Sequence, residues 1–282
     1  MDVRREIAAL LGQPISDIAP LGGGCVSAVY EVRLDDGRHV VVKADDSGAG
    51  NLPVEAFMLG YLAERGLPAP AVVAASERLL VMEYVAGDSL FDAAAESHAA
   101  HLLAALHAHT APAFGFDRDT LIGGLRQPNA PAASWLDFFA GQRLIYMATE
   151  AARAGRLPVT TRARVERLAG RVGDWLVEPV RPALIHGDVW TTNVLARGGR
   201  VAAFLDPAIY YADPEIELAF IGLFGTFGRV FYDQYHALRP IAPGFFEERR
   251  DLYNLYPLLV HVRLFGGSYV GQVERTLAAY GF

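Results

Sequence analysis

An α+β fold in two unequal lobes is predicted by this sequence: a small antiparallel-sheet lobe over residues 1–85 and a larger, mostly helical lobe over residues 86–282. Three observations predict it. Strand-like alternation crowds the first third of the chain, alanine- and leucine-rich helical stretches fill the rest, and Ala86-Gly87-Asp88-Ser89 stands between them as a linker. A chain of 282 residues is long enough for two lobes that each bury a core. With 52% hydrophobic and 20% charged residues, apolar side chain is plentiful enough to offset the entropy of ordering the backbone.

Asp2 is placed to cap a short first helix whose apolar Ile7, Leu10 and Leu11 share a face, after which Pro20 and Gly22-Gly23-Gly24 break regular structure. From Ala28 to Leu34 the pattern alternates, with Tyr30, Val32 and Leu34 on one side, as a half-buried strand requires. Asp36-Gly37 is a hairpin turn, and the return strand His39-Val40-Val41-Val42-Lys43 ends in a lysine. The segment as a whole reads as strand, glycine loop, strand, hairpin, strand with lysine. Pro53 to Glu64 has helical spacing and carries Glu55 before Gly66, Pro68 and Pro70 stop it, and Leu79 to Tyr84 reads as a further strand.

Beyond the linker, helices are expected over Phe91 to His109, Trp135 to Ala154, Thr161 to Leu176, Pro214 to Leu238 and Phe245 to Phe265. One stretch differs. From Leu184 to Asp206 a loop is followed by Val194-Leu195-Ala196, the turn Gly198-Gly199, and Val201 to Leu205, which is a hairpin with an aspartate at its end.

Lys+Arg number 25 against Asp+Glu 32, a formal net charge of -7, which argues against a nucleic-acid partner. A single cysteine, Cys25, excludes an intrachain disulfide framework and a cysteine-cluster metal site, and a reducing, cytoplasmic setting fits it. The first residues mix both charge signs, unlike a signal peptide, and the longest apolar run, Leu218 to Gly228, is far short of the ~20 residues that span a bilayer, so no membrane partner is expected.

The chemistry lies in Ile185-His186-Gly187-Asp188-Val189-Trp190-Thr191-Thr192-Asn193. Phosphoryl transfer from ATP needs a positioned hydroxyl, neutralised phosphates and oxygen-ligated Mg²⁺. Asp188 and Asn193 are spaced like the catalytic-loop pair of protein kinases, in which the aspartate takes the substrate proton and the asparagine binds metal, and Asp206 follows as the second metal ligand. A turn role, which Asp and Asn both favour, explains either residue alone but not the spacing. Upstream, Lys43 and Glu55 match the ion pair that aims a lysine at the α- and β-phosphates, while Gly22, Gly23 and Gly24 depart from the usual glycine pattern but offer backbone N–H groups to phosphate. The fold class these residues indicate is protein-kinase-like, residues 1–85 forming its nucleotide-binding lobe.

His186-Gly187-Asp188-Val189-Trp190, followed by Asp206-Pro207-Ala208-Ile209-Tyr210-Tyr211-Ala212-Asp213-Pro214-Glu215, resembles the fructosamine kinase (ketosamine-3-kinase) family. Phe114-Gly115-Phe116, Ile122-Gly123, Gln127-Pro128-Asn129, Trp135 with Phe138-Phe139, and Leu264 to Tyr269 extend the resemblance over essentially the whole chain. It implies a fold related to the aminoglycoside phosphotransferases and transfer of the ATP γ-phosphate to O3 of a ketosamine, free or protein-bound, by a monomer or weak dimer. It also implies that Glu83-Tyr84-Val85 is a hinge whose backbone meets adenine, that Trp190 faces the substrate, and that Tyr210 and Asp213 are further substrate candidates. Thr191-Thr192, Ala212, Pro214 and Glu217 depart from the family's usual Ser-Gly, Gly, Arg and Asp, which bears on substrate detail. A kinase for another small metabolite, such as an aminoglycoside, choline or amino-sugar, or an inactive nucleotide-binding module, are the alternatives.

His107 and His109 read as packed or solvated helix residues, and His186 as an organiser of the catalytic loop. The aromatics from Phe220 to Phe231 read as core. Cys25 is either a small side chain in a tight loop or a redox-sensitive gate to the nucleotide site.

Overall fold

The structure, a computed structural model, describes residues 3–22, 27–45 and 51–282. Helix α1 (Val3–Leu11) leads into a five-stranded antiparallel sheet of β1 (Ile15–Leu21), β2 (Ala28–Leu34), β3 (His39–Ala44), β4 (Val72–Ala75) and β5 (Leu79–Glu83), in the order β1-β2-β3-β5-β4. Helix α2 (Leu52–Ala63) crosses between β3 and β4. Ile7 of α1 packs with Val32, Leu34, Val40, Val42 and Val81 on one face, while Leu59 of α2 packs with Leu80 and Met82 on the other. Because both faces are covered, Leu79 to Met82 are all buried and lose the alternation of a half-exposed strand.

Two strands differ from expectation. β1 runs through Pro20, where a break is predicted, and it can do so because β1 is an edge strand that pairs only with β2, so the missing N–H breaks no ladder. β4, at the opposite edge, is short and largely exposed, so no hydrophobic pattern marks it.

The rest of the chain is mostly helical: α3 (Ala93–Leu106), α4 (Trp135–Phe138), α5 (Tyr146–Arg153), α6 (Val159–Ala169), α7 (Glu215–Leu223), α8 (Arg229–Leu238), α9 (Arg250–Tyr253), α10 (Leu255–Phe265) and α11 (Ser268–Ala279). A π-helical turn, Phe139–Ile145, joins α4 to α5 inside the predicted Trp135–Ala154 helix, and a second, Phe245–Arg249, precedes α9. The predicted helix from Pro214 to Leu238 is two helices, parted where Gly225 adopts φ +64°.

Three two-stranded ribbons complete the lobe: β6 (Thr120–Ile122) with β7 (Leu125–Gln127), β8 (Ala183–Ile185) with β11 (Tyr210–Ala212), and β9 (Val194–Arg197) with β10 (Arg200–Phe204). The β6–β7 hairpin turns on Gly123-Gly124, both at positive φ, the signature of a two-residue primed turn. The linker is docked rather than loose, since the Asp88 N–H donates to the Ala196 carbonyl at 3.0 Å and the Ala196 N–H returns to Asp88 at 2.7 Å. No helix among the described residues is long and apolar enough to cross a membrane.

Candidate active site

Pairing of β8 with β11, with Ile185 opposite Tyr210, lays the loop after β8 beside the segment that precedes β11. The Ala208 N–H donates to the His186 carbonyl at 2.8 Å. Gly187 has φ +85°, and a Cβ there would lie 2.2 Å from the Ala208 carbonyl oxygen, so only glycine permits the approach. The closeness of the two segments brings Asp188 and Asp206 into one cleft, which Lys43, Glu55, Trp190 and Asn193 also line.

Within the loop, Asn193 donates from Nδ2 to the Asp188 carbonyl at 3.1 Å and to Asp188 Oδ2 at 2.9 Å, closing the five-residue span into a fixed turn. Burial pushes the Asp188 carboxyl well above the usual carboxylate range, and the neighbouring Asp206 charge adds to the rise against the Asn193 hydrogen bond. A carboxylate so raised is a better proton acceptor. His186, wholly buried, receives the Asp188 N–H on Nδ1 at 3.2 Å. Burial pushes its imidazole down to about 4, so the ring is neutral and organises the loop.

A second buried chain reaches the loop from behind. Glu217 of α7 accepts the Gly187 N–H on Oε1 at 2.6 Å, and its Oε2 meets His107 Nε2 at 2.8 Å. His107 Nδ1 in turn meets the Tyr235 hydroxyl at 2.7 Å. Burial would raise the Glu217 carboxyl, but the hydrogen bond and charge of His107 outweigh it and hold the group below its usual value.

Asp206 has φ +52°, the only non-glycine residue with positive φ among those described. Aspartate tolerates the left-handed region better than most residues, and such conformations gather at functional sites. Lys43 Nζ contacts Asp206 Oδ1 and Glu55 Oε1, the latter at 2.6 Å. Burial alone would lower the Lys43 pKa, but the two carboxylates raise it, and the side chain stays a cation.

The donor set suits Mg²⁺. Asn193 uses its amide nitrogen on Asp188, which leaves its oxygen available, with the Asp206 carboxylate, to a hard cation. Among the described residues no group of three or more His, Cys, Asp or Glu side chains forms a metal cage, so a Mg²⁺ ion held here would take its remaining positions from phosphate oxygens and water, as is usual for that ion.

Other expected site residues lie elsewhere. Gly22 lies in a turn after β1 and is not among the residues that line the cleft, and Gly23, Gly24 and Cys25 fall outside the described residues. Glu83, Tyr84 and Val85 do not line the cleft, and two of their three backbone donors serve the sheet, Glu83 to Ala71 at 2.9 Å and Tyr84 to His39 at 3.2 Å. Tyr210 is buried beneath the Arg143 guanidinium at 3.9 Å and lines a smaller pocket that shares Asp188 and His261 with the main cleft, together with Phe220 and Tyr256.

Asp213, a substrate candidate from the sequence, lines neither of these pockets. It is buried, its Oδ2 accepts the Tyr253 hydroxyl at 2.7 Å and its Oδ1 accepts the Glu215 N–H at 2.9 Å, so it closes the start of α7. Burial pushes its carboxyl up to about 7. Asn51, His261, Phe265 and the β6–β7 tip also line the main cleft, and of these only Ile122-Gly123 and the Leu264 to Tyr269 run left a signal in the sequence.

A family model described as fructosamine kinase matches residues 1–280. A probable ketoamine kinase of Synechocystis sp. is 35% identical over 292 residues, covering 98% of this chain and 94% of its own. The crystal structure of a candidate fructosamine-3-kinase from Thermobifida fusca superposes with a TM-score of 0.86 at 33% identity, covering 99% of this chain and 98% of its own. An aminoglycoside phosphotransferase, at TM-score 0.69 and 19% identity over 99% of each chain, shares the fold. The α+β, kinase-like fold expected from the sequence is thus the one observed, and the chain belongs to the fructosamine kinase family.

Proposed function

We propose that this protein transfers the γ-phosphate of ATP to a sugar hydroxyl, O3, of a ketosamine. The observation that carries the reading is the convergence of Lys43, Asp188, Asn193 and Asp206 on one cleft between the sheet and the helices. Residues 1–85 supply the nucleotide lobe and residues 86–282 the catalytic groups.

Asn193 and Asp206 would hold Mg²⁺, which neutralises phosphate charge when bound. Lys43, fixed by Glu55, places its cation against the phosphates once Asp206 turns to the metal. Asp188 orients the acceptor hydroxyl and takes its proton as the acceptor oxygen bonds to the γ-phosphorus and the bond to the ADP oxygen breaks. Positioning and charge stabilisation supply the larger share of the rate, with base catalysis contributing ~10²–10⁴-fold. Trp190 lines the acceptor side, its ring 5.7 Å from that of Phe224.

The test is phosphate transfer from ATP·Mg²⁺ to fructosyl-lysine, ribulosyl-lysine, an aminoglycoside and choline, with products located by mass spectrometry and NMR. Phosphorylation of a ketosamine at O3 is the expected result. Transfer only to another acceptor overturns the substrate, and no transfer to any acceptor overturns the enzyme.

A further inference from the structure

Gln127-Pro128-Asn129 belongs to the motifs that mark the family, yet no step of the proposed reaction uses it. In the structure Gln127 is wholly buried, and both hydrogens of its amide and its oxygen are each engaged by a different part of the molecule. Nε2 donates to Thr120 Oγ1 at 2.9 Å and to the Ala208 carbonyl at 3.1 Å, while Oε1 accepts the Tyr256 hydroxyl at 2.7 Å. Thr120 Oγ1 donates onward to the Ile209 carbonyl at 3.0 Å and accepts Asn129 Nδ2 at 2.7 Å. Asn129 Oδ1 is held by Arg143 Nη2 at 2.6 Å.

The ends of this network matter more than its middle. Ala208 and Ile209 follow Asp206 by two and three residues, and the Ala208 carbonyl is the atom against which Gly187 of the catalytic loop is seated. Tyr256, on α10, lines the pocket beside Asp188 in which His261 and Tyr210 also stand. One side chain therefore joins the segment bearing Asp206, in its left-handed conformation, to the wall of the smaller pocket beside Asp188, which on the kinase reading would take part of the acceptor. An amide is suited to this, since it donates two hydrogens and accepts at the same time, and in a dry interior no water replaces a bond left unmade.

We propose that Gln127 is a positioning residue that couples the acceptor wall at Tyr256 to the metal-ligand geometry at Asp206. The proposal rests on the kinase reading for the word acceptor, but its coupling is measurable without one. Its elements are a donor to the Ala208 carbonyl that keeps Asp206 facing the cleft and an acceptor for Tyr256 that keeps the wall in register with it. Thr120 and Asn129 brace the amide, and the buried Arg143 cation braces Asn129.

The test is a double-mutant cycle on the full chain, with calorimetric binding of Mg²⁺·AMP-PNP and of metal-free AMP-PNP, and the acceptor KM as a second readout. Groups hydrogen-bonded directly to a metal ligand are typically worth about 10–100-fold in metal affinity, and Gln127 acts one step further out, through the Ala208 carbonyl, so the lower end applies. Gln127→Met is accordingly expected to weaken Mg²⁺·AMP-PNP binding by about 10-fold or more while leaving metal-free nucleotide binding unchanged. Tyr256→Phe is expected to raise the acceptor KM and weaken Mg²⁺·AMP-PNP binding by at least about 3-fold, and to add nothing in the Gln127→Met background. A purely architectural Gln127 would lower the melting temperature alone, or give additive effects, and either result overturns the proposal. Should Gln127→Met not fold, Tyr256→Phe by itself decides, because its phenol reaches the Asp206 segment through Gln127: unchanged Mg²⁺·AMP-PNP binding overturns the coupling. A wild-type protein that binds Mg²⁺·AMP-PNP and phosphorylates no ketosamine overturns the functional reading and leaves the coupling standing.

Discussion

The Glu217 carboxylate accepts the Gly187 N–H at 2.6 Å across 30 residues of sequence, hanging the catalytic loop from helix α7. Its other oxygen is held by His107, and both of these side chains are wholly buried. Removing the carboxylate leaves the Gly187 N–H and the buried His107 Nε2 without their partner, and each such loss costs about 1–3 kcal/mol. Glu217→Ala is therefore expected to destabilise the fold by that order in urea unfolding. In whatever fraction folds, kcat should fall while nucleotide affinity holds; unchanged stability would show that His107 and Gly187 find other partners.

Asp188→Asn keeps the shape and the Asn193 contact region but removes the proton acceptor. Turnover should drop by at least ~10²–10⁴-fold, with ATP affinity nearly intact by calorimetry. Preserved turnover with lost nucleotide binding would transfer Asp188 from the chemistry to the nucleotide site.

Gly187→Ala tests the seating of the loop. The added Cβ would meet the Ala208 carbonyl oxygen at 2.2 Å in a backbone of φ +85°, so neither segment can absorb it by a rotamer change. Inactivity with a lowered melting temperature is expected, whereas Gly198→Ala, also at positive φ but in open space, should lose stability through backbone strain alone and keep activity.

Lys43 and Glu55 are in contact at 2.6 Å and should behave as a unit. Glu55→Gln is expected to raise the KM for ATP by about 10-fold through loss of Lys43 aim, and the same change in a Lys43→Met background should do little more. Additive losses would separate the two residues.

His186 carries a pH signature. Its folded pKa is pushed down to about 4 by burial, against about 6.5 in an unfolded chain, so between those values the unfolded state holds the extra proton. Stability from this group is complete above about pH 6.5 and is lost as the pH falls toward 4, by up to about 3 kcal/mol. His186→Asn should flatten that part of the stability curve in urea titrations taken at successive pH values. An unchanged slope would show that the imidazole titrates normally.

Which residues meet in the cleft was partly readable because some of its logic is local. Asp188 and Asn193 close one turn through a hydrogen bond between residues five apart, and Lys43 ends a strand whose alternation is plain, so spacing alone marks them. Asp213 is a different case, because its motif is genuine but its carboxylate turns inward to Tyr253 and the start of α7. The proline in β1 was misread as a break because its tolerance depends on an edge position, which a sequence does not display.

By itself the sequence determined the lobed α+β plan and the order of strand, lysine, glutamate, catalytic loop and hairpin aspartate, since each follows from periodicity or short-range spacing, and its motifs carried the resemblance to the family. Only the tertiary structure decided that Glu217 and His107 hold the loop from behind, that Gln127 bridges Ala208 to Tyr256, and that the β6–β7 tip enters the cleft. The reason is physical: these bonds satisfy buried polar groups across separations of 30 to 129 residues, and which distant partners meet is set by how sheets and helices pack, not by any local pattern.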